Sequence, residues 1–311
     1  MRKVITVDGT HLYGKYENVL LSAVAQNTEN HIYPIAFYVV DKENDTSWTF
    51  FFEKLKPIMV DGPDLCFISD RHNSITNGIA KAYNYAHHRY CMRHLGKNLC
   101  VNHHCGEHLY LFYNTEKAYS PEEFSDHFME FKNYCPEASF FLEHELGFEK
   151  WSRAYFLGNR FDVMTTNIVE LVNSILSDER EYPMASIFNS ITKRFDEIFR
   201  ERHAYDLKCK DNKFVPTAKK ILRDNMSEGD SFYMENMSGG KRQYTVFGSG
   251  CTAKVDLLEK LCSCRKFDLV KIPCIHAMAA LQLKHGEDYG LRVYDYSSPM
   301  YKVEEYLLAY P

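Results

Sequence analysis

Short apolar runs alternate with turn residues along the first ninety residues, and this pattern predicts strands interrupted by helices. The predicted strands share a high content of β-branched and aromatic residues, and they cover 3–8, 17–26, 32–40, 64–70 and 88–91. Two helices are also predicted. The first is an amphipathic run that begins at Ser47, which we expect to be its N-cap, and the second covers 73–86. The resulting order βββαβαβ is typical of a mixed sheet covered by a layer of helices.

Helical patterns dominate the middle of the chain, and strands return only near its end. Aromatic-rich helical runs extend to about residue 160, and further helices are predicted from Asn167 and from Met184. After Ser231, strand-like runs precede a helix that begins near Cys274. We expect a domain boundary near 227–230.

Composition and charge limit the classes of protein that fit this pattern. With 311 residues, of which 45% are hydrophobic and 25% charged, the chain is long enough for about two globular domains. It contains no run of 18 apolar residues and no signal-peptide core at Met1, so we expect neither a membrane span nor secretion. The net charge of −5 argues against a generic polyanion binder.

One segment departs from this acidic average. Residues 191–223 contain ten Lys or Arg against five Asp or Glu, which is a local net charge of +5. This segment is the best candidate for a track that binds phosphate groups. A solvated helix face with mixed charges is the alternative, because acidic residues such as Asp196 and Glu197 are interspersed.

The cysteines predict a metal site. Ten cysteines in a chain without a signal peptide are more typical of free thiols and metal ligands than of disulfides. Cys262 and Cys264 are followed, after nine residues, by Cys274 and His276. Three thiolates and one imidazole are a ligand set that holds tetrahedral Zn²⁺ in closed, structural sites. Three buried free cysteines with a surface histidine are the alternative interpretation.

Three carboxylates form a second candidate site. Asp8 and Asp70 lie in or at the end of predicted strands that we expect to be neighbours, and such carboxylates can share hard cations such as Mg²⁺. Each also has a simpler interpretation, Asp8 as a turn residue before Gly9 and Asp70 as a helix N-cap. Glu170 is the third candidate, although Asn167 and Glu170 also have the spacing of a capping box.

These candidates lie in segments that resemble the Mutator-like element (MULE) transposases, of the plant type. Residues 7–55 resemble the opening of the catalytic domain of that family, and 69–98 resemble its continuation, with a Cys-x-x-His motif. The run TTNIVELVNSI at 165–175 is similar to the motif of its third carboxylate, in which an asparagine precedes the glutamate by three residues. The cysteine pattern, with PCIHAMAAL at 273–281, resembles the C-terminal SWIM zinc finger of those proteins.

The resemblance implies an α/β fold, namely an RNase H-like mixed sheet with a helical insertion, followed by a small ββα SWIM-type zinc finger. Its implied segments are a first part of the core at 1–94, the helical insertion at 95–160, the last core helices with the basic stretch at 161–226, and the zinc finger with a C-terminal tail at 227–311.

The resemblance also implies a chemistry and a partner. Asp8, Asp70 and Glu170 match the positions of the family's DDE triad, which binds two Mg²⁺ or Mn²⁺ ions and performs metal-dependent DNA strand cleavage and strand transfer. The zinc of the finger is structural. The implied partner is DNA, either transposon ends or a genomic target, and the implied location is the nucleus. A homo-oligomer and host proteins are further candidate partners, and no membrane is implied.

Two questions stay open at this point. The first predicted strand begins by Lys3, where relatives carry a preceding DNA-binding region, so we expect a truncated or domesticated product. The alternative to a transposase is a transposase-derived, non-catalytic DNA-binding transcriptional regulator of the far-red-impaired-response type. Cys91 and His94 are three residues apart and share a helix face, but a buried thiol and a hydrogen-bonded histidine are a simpler interpretation than a metal site. For His103, His104, Cys105 and His108 we expect an exposed polar loop.

Overall fold

The structure is a computed structural model of the chain, and it describes residues 3–13, 17–156, 167–175, 178–207, 213–235, 242–248 and 251–308. The contact pattern divides the chain into two compact units, Met1–Arg202 and His203–Pro311. The predicted mixed α/β class is confirmed. None of the described helices is long and apolar enough to cross a membrane. The four segments expected from the sequence divide the chain more finely than these two units, and they stay a prediction.

The described strands of the first unit form one mixed sheet. They are β1 (Val4–His11), β2 (Val19–Gln26), β3 (Ile32–Val40), β4 (Cys66–Ser69) and β5 (His87–Tyr90). Their order in space is β3-β2-β1-β4-β5, in which β1 pairs antiparallel with β2 and parallel with β4. The parallel register pairs Ile5 with Phe67 and Thr6 with Ile68. The predicted order βββαβαβ is therefore confirmed.

Helices α1 (Asp45–Leu55) and α2 (Asn73–Ala82) bury one face of this sheet. Alternate strand residues and the apolar sides of both helices share a core that includes Ile5, Val7, Phe67, Trp48, Phe52, Ile75 and Ile79. The two helices approach closely at Gly78, where an added Cβ would lie 3.0 Å from the carbonyl carbon of Trp48. Because successive strand side chains alternate, residues 6 and 8 of β1 face the other side of the sheet.

The N-terminus of α1 differs from the prediction. Asn44, not Ser47, is the N-cap, and its side chain accepts a hydrogen bond of 2.9 Å from the backbone N–H of Ser47. Ser47 lies inside the first turn, where its hydroxyl donates to the carbonyl of Lys42. The prediction was wrong because Asn and Ser are both good caps and the pattern of apolar residues does not separate them.

A helical section follows β5 and has an aromatic core of its own. Its elements are α3 (Met92–Asn102), a 3₁₀ turn (Gly106–His108), α4 (Leu109–Lys117), α5 (Pro121–Tyr134), α6 (Pro136–Phe140), a π-helical segment (Phe141–Leu146) and a 3₁₀ turn (Phe148–Lys150). Phe112, Phe124 and Trp151 pack at the centre of this core. Ser120 caps α5 by accepting from the backbone N–H of Glu123.

Two further helices follow, and the first unit ends within the second of them, at Arg202. They are α7 (Asn167–Ile175) and α8 (Met184–Leu207), with a 3₁₀ turn (Asp178–Glu181) between them. Helix α7 packs against β1 and β2. Helix α8 lies along β3, where Phe195 stacks on Phe37 with the ring centroids 5.8 Å apart.

The second unit contains an antiparallel sheet and several helices. Its described elements are α9 (Pro216–Gly229), β6 (Tyr233–Glu235), β7 (Gln243–Gly248), β8 (Cys251–Asp256), β9 (Leu261–Cys262), α10 (Lys266–Val270), α11 (Ile275–His285), a 3₁₀ turn (Gly286–Asp288), α12 (Tyr289–Tyr296), a 3₁₀ turn (Pro299–Tyr301) and α13 (Val303–Leu307). The strand order is β6-β7-β8-β9. The expected ββα arrangement is therefore too simple, since this sheet has two further short strands and α10 lies before α11.

Candidate metal centres

Asp8 and Asp70 occupy corresponding places on neighbouring parallel strands. Strand β1 continues past Asp8 to His11, so the turn interpretation of Asp8 is wrong. Asp70 directly follows the last residue of β4. If the pairing of Thr6 with Ile68 is continued by two residues, Asp8 stands opposite Asp70. Adjacent strands are about 4.8 Å apart, so the two half-buried carboxylates belong to one small area of the sheet face opposite α1 and α2.

A local hydrogen bond orients Asp70. Its Oδ1 accepts a bond of 3.0 Å from the backbone N–H of His72. Helix α2 begins at Asn73, and His72 is the residue that precedes it, so Asp70 is not the N-cap. The carboxylate is therefore fixed at the strand end by a turn of its own rather than by the helix.

Helix α7 supplies the partner of Asp8. The side-chain amide Nδ2 of Asn173 donates a hydrogen bond of 2.9 Å to Asp8 Oδ2. Asn173 is buried, with 5% of its surface exposed, and its Oδ1 has no hydrogen-bond partner. The sequence interpretation missed Asn173. The available signal was its position three residues after Glu170, because residues three apart share one side of a helix.

Glu170 itself lies in α7, one turn before Asn173. Its side chain, and that of Asn167, lie outside the described residues. The strand register places Asp8 beside the end of β4, where Asp70 lies, and α7 packs against β1. The roles of Asp8, Asp70 and Glu170 as ligands of one site, and of Glu170 as part of a capping box, stay predictions.

A glutamate that the sequence interpretation did not single out lies beside this strand end. An added Cβ at Gly9 would be 2.8 Å from Glu43 Oε1, so any larger residue there would require that carboxylate to move. Glu43 accepts a hydrogen bond of 2.9 Å from the indole nitrogen of Trp48 and lies 3.7 Å from His72 Nδ1. Because Gly9 faces the side opposite to Asp8, we assign Glu43 to the packing of α1 rather than to the carboxylate pair.

The four predicted zinc ligands converge. One potential ligand atom from each of Cys262, Cys264, Cys274 and His276 lies within 4.8 Å of the others. The distance from Cys262 Sγ to His276 Nδ1 is 3.7 Å. Ligands on one tetrahedral zinc, with Zn–S near 2.3 Å and Zn–N near 2.05 Å, are separated by about 3.6–3.8 Å. The residues present therefore fit a structural Zn²⁺ ion with no open position.

Local structure explains why these four side chains meet. Ser263 continues the pairing of β9 with β8, since its N–H donates to the carbonyl of Lys254 over 2.9 Å. Cys274 is the N-cap residue of α11, and His276 lies in the first turn of that helix. The segment before α11 is held by Asn225, whose amide donates to the carbonyl of Pro273 over 2.8 Å.

Hydrogen bonds among the thiols of this site, together with burial, shift their pKa values in different directions. Hydrogen bonds from Cys262 and Cys274 lower the pKa of Cys264. The hydrogen bond to Cys264 raises the pKa of Cys262 to about 12, and burial raises the pKa of Cys274 well above its ordinary value. Buried thiols that are hard to ionise on their own become thiolates when a cation replaces their protons, so zinc binding releases protons at this site.

The other cysteine and histidine candidates do not form a comparable cluster. Within the described part of the chain, the zinc ligands are the one group of three or more Cys, His, Asp or Glu residues with mutually close ligand atoms. Cys91 is fully buried just before α3. Cys105 is also buried, so the expected exposed loop at 103–105 is wrong for this residue, and burial raises the pKa of its thiol to about 12. His103 stacks on Phe141 with the ring centroids 4.9 Å apart.

The basic stretch does not form one continuous element. Its first part lies on α8, where Lys193 and Arg194 are exposed and Arg200 pairs with Asp196 at 2.5 Å. Its second part lies on α9 in the other unit, and residues 208–212 are outside the described ranges. The mixed charges on α8 fit the solvated-face alternative at least as well as a phosphate track.

Comparison with known families matches two separate segments of the chain, and Glu170 lies in neither of them. Residues 4–98 match the family model described as the MULE transposase domain, and this range contains Asp8 and Asp70. Residues 244–285 match the SWIM zinc finger, and this range contains the four zinc ligands. No curated protein matched the chain.

Proposed function

Because the chain combines a MULE transposase domain with a C-terminal SWIM zinc finger, we propose that it is a DDE-type DNA transposase catalytic core. The observation that carries this proposal is the strand register, which sets Asp8 on β1 beside the end of β4, where Asp70 follows, with the helix that contains Glu170 packed against β1. The proposed reaction is metal-dependent cleavage of DNA strands and their transfer to a new site.

The topology supports an RNase H-like core. Three antiparallel strands are followed by two parallel ones in the order β3-β2-β1-β4-β5, with Asp8 on the central strand β1 and Asp70 directly after β4. In this proposal α3–α6 form an insertion, and α7 returns the chain to the core with the third carboxylate. The carboxylates then meet at the ends of parallel strands, where open α/β sheets usually bind their ligands.

The donor set at this site suits a hard divalent cation. Aspartate and glutamate oxygens are preferred by Mg²⁺ and Mn²⁺, and Asp8, Asp70 and Glu170 would hold two such ions. Bound there, the ions would supply activation of water or of a DNA 3′-hydroxyl and stabilise the leaving oxygen. The contribution of this chain is orientation, because the backbone N–H of His72 fixes Asp70 and the amide of Asn173 fixes Asp8.

The zinc finger has a different role in this proposal. Its ligands form a closed set, and closed sites of this kind stabilise a fold rather than perform chemistry. DNA is the proposed partner of the chain, and the nucleus is its proposed location. Association with further copies of the chain or with host proteins is compatible with this function.

The test is a nicking assay on supercoiled plasmid DNA with the zinc-loaded full chain and Mn²⁺. We expect nicking by the wild type and its loss in Asp8→Asn and Asp70→Asn, since each variant removes a cation ligand but keeps the shape of the side chain. Asp64→Asn is the matched control, because Asp64 is exposed and precedes the same strand. DNA binding without nicking by any form would contradict the enzyme and favour the non-catalytic regulator, whose activation of a reporter gene should survive Asp8→Ala.

A further inference from the structure

Asn173 uses only one of the two polar groups of its buried side-chain amide. Its Nδ2 donates to Asp8 Oδ2 over 2.9 Å, while its Oδ1 is buried without a hydrogen-bond partner. The orientation of the amide follows from chemistry, since an ionised carboxylate only accepts hydrogen bonds and must face the NH₂ group. The oxygen is therefore the atom left without a partner, close to Asp8.

A second buried polar atom without a partner lies next to Asp8, on strand β2. Ser22 pairs with Asp8 across the antiparallel β1–β2 ladder, so both side chains are on the same face of the sheet. Ser22 is fully buried, and its hydroxyl oxygen also has no hydrogen-bond partner. A buried polar atom without a partner costs roughly 1–3 kcal/mol. Two such atoms beside one carboxylate indicate a place built to receive a polar ligand.

Hydrogen bonds made by Arg180 also hold the backbone at Asn173 in place. The guanidinium of Arg180 donates to the backbone carbonyl of Asn173 over 2.9 Å, and the carbonyl of Arg180 accepts from the backbone N–H of Tyr13 over 3.0 Å. These bonds tie the end of α7 to the chain that follows β1. The position of the amide therefore follows from the backbone of the fold and not only from its contact with Asp8.

We propose that Asn173 is a positioning residue of the Asp8–Asp70 site and a neutral oxygen donor to the cation bound there. Its N–H holds Asp8 in one orientation, and its Oδ1 enters the oxygen shell of the cation, directly or through a bound water. This inference rests on the proposed function. It adds a fourth residue, on the same side of α7 as Glu170, to the three carboxylates.

The test measures Mn²⁺ binding to the zinc-loaded full chain by titration calorimetry, without DNA. Removing an outer partner of a metal ligand typically weakens metal binding about 10–100-fold, and we expect a loss of that size in Asn173→Ala. Ser174→Ala is the matched control, because Ser174 is the next residue of α7 and is exposed. We expect its Kd for Mn²⁺ to equal that of the wild type.

A second variant separates positioning from packing. Asn173→Asp keeps the shape of the side chain and an oxygen at the same place, but it puts a second carboxylate 2.9 Å from Asp8. Like charges this close oppose ionisation, so the cation-free variant should unfold at a lower temperature than the wild type, and Mn²⁺ should restore more stability to it than to the wild type. A group that only filled space would give a lower Tm with no such recovery.

The outcomes are distinguishable. Wild-type Mn²⁺ binding together with an unchanged Kd in Asn173→Ala would overturn this inference alone. Failure of the wild type to bind Mn²⁺ would overturn the proposed cation site and this inference with it. If Asn173→Ala binds weakly because it is poorly folded, its far-ultraviolet circular dichroism spectrum will differ from that of the wild type, and the result for Asn173→Asp then decides the question.

Discussion

Replacing Asp70 by asparagine should stabilise the cation-free protein while it abolishes the response to cations. Asp8 and Asp70 stand on adjacent strands, and we take their carboxylates to be about 5 Å apart. At an effective dielectric constant of about 20, two like charges at that distance repel by about 3 kcal/mol. Both side chains are half-exposed, and solvent screening reduces this to about 1 kcal/mol. Asparagine removes the repulsion and keeps an oxygen that can accept from the N–H of His72.

The assay is thermal unfolding of the zinc-loaded chain in buffer free of Mg²⁺ and Mn²⁺. For a unit of about 200 residues, 1 kcal/mol raises Tm by roughly 2–4 °C, and we expect that increase for Asp70→Asn. Added Mn²⁺ should raise the Tm of the wild type and leave that of Asp70→Asn unchanged, because ligand binding stabilises only the form that binds. Asp64→Asn should behave as the wild type. A lower Tm for Asp70→Asn in the cation-free buffer would refute the reasoning that the two carboxylates are close.

Three further predictions concern other parts of the molecule. Removing zinc with a chelator should unfold much of the second unit, and the variant Cys274→Ser should have the same effect. The unfolding would be measured as a loss of helical circular dichroism, which the control Cys100→Ser should not cause. Retention of the full signal would contradict a structural zinc site. Burial lowers the pKa of His88 to about 3. As the pH falls, the unfolded chain therefore binds a proton at His88 before the folded chain does. The free energy of unfolding should decrease between about pH 6.5 and 3, by at most about 1.4 kcal/mol per pH unit. His88→Gln should flatten that dependence in urea unfolding experiments. Asn44→Ala should cost about 1 kcal/mol in the same experiment, and an equal or larger loss for Ser47→Ala would argue against Asn44 as the cap.

The outcome for individual elements indicates what a sequence alone can predict here. The strands and the first two helices were predictable because each has a strong local pattern, and the zinc ligands because four soft donors lie within fifteen residues. The spacing of Asn173 from Glu170 was a usable signal, but its hydrogen bond to Asp8 was not predictable, since that contact joins residues 165 apart in the chain. The cap at Asn44 was missed because Ser47 offers an equally good local signal. Strand β9 was not separated from β8, because it has only two residues and continues the same apolar run.

The two candidate metal centres are separated by ligand chemistry as well as by place in the fold. Each lies wholly within one compact unit, the carboxylates in the first and the thiolates in the second. Thiolates bind Zn²⁺ far better than Mg²⁺, and two or three carboxylates with water bind Mg²⁺ or Mn²⁺ loosely enough to exchange. Under the proposed function, one permanent ion serves folding and exchangeable ions serve chemistry, and the different donor atoms keep the two kinds of ion apart. This division predicts that Mg²⁺ can be removed and restored without disturbing the zinc, which is the condition under which the cation-dependent experiments above can be interpreted.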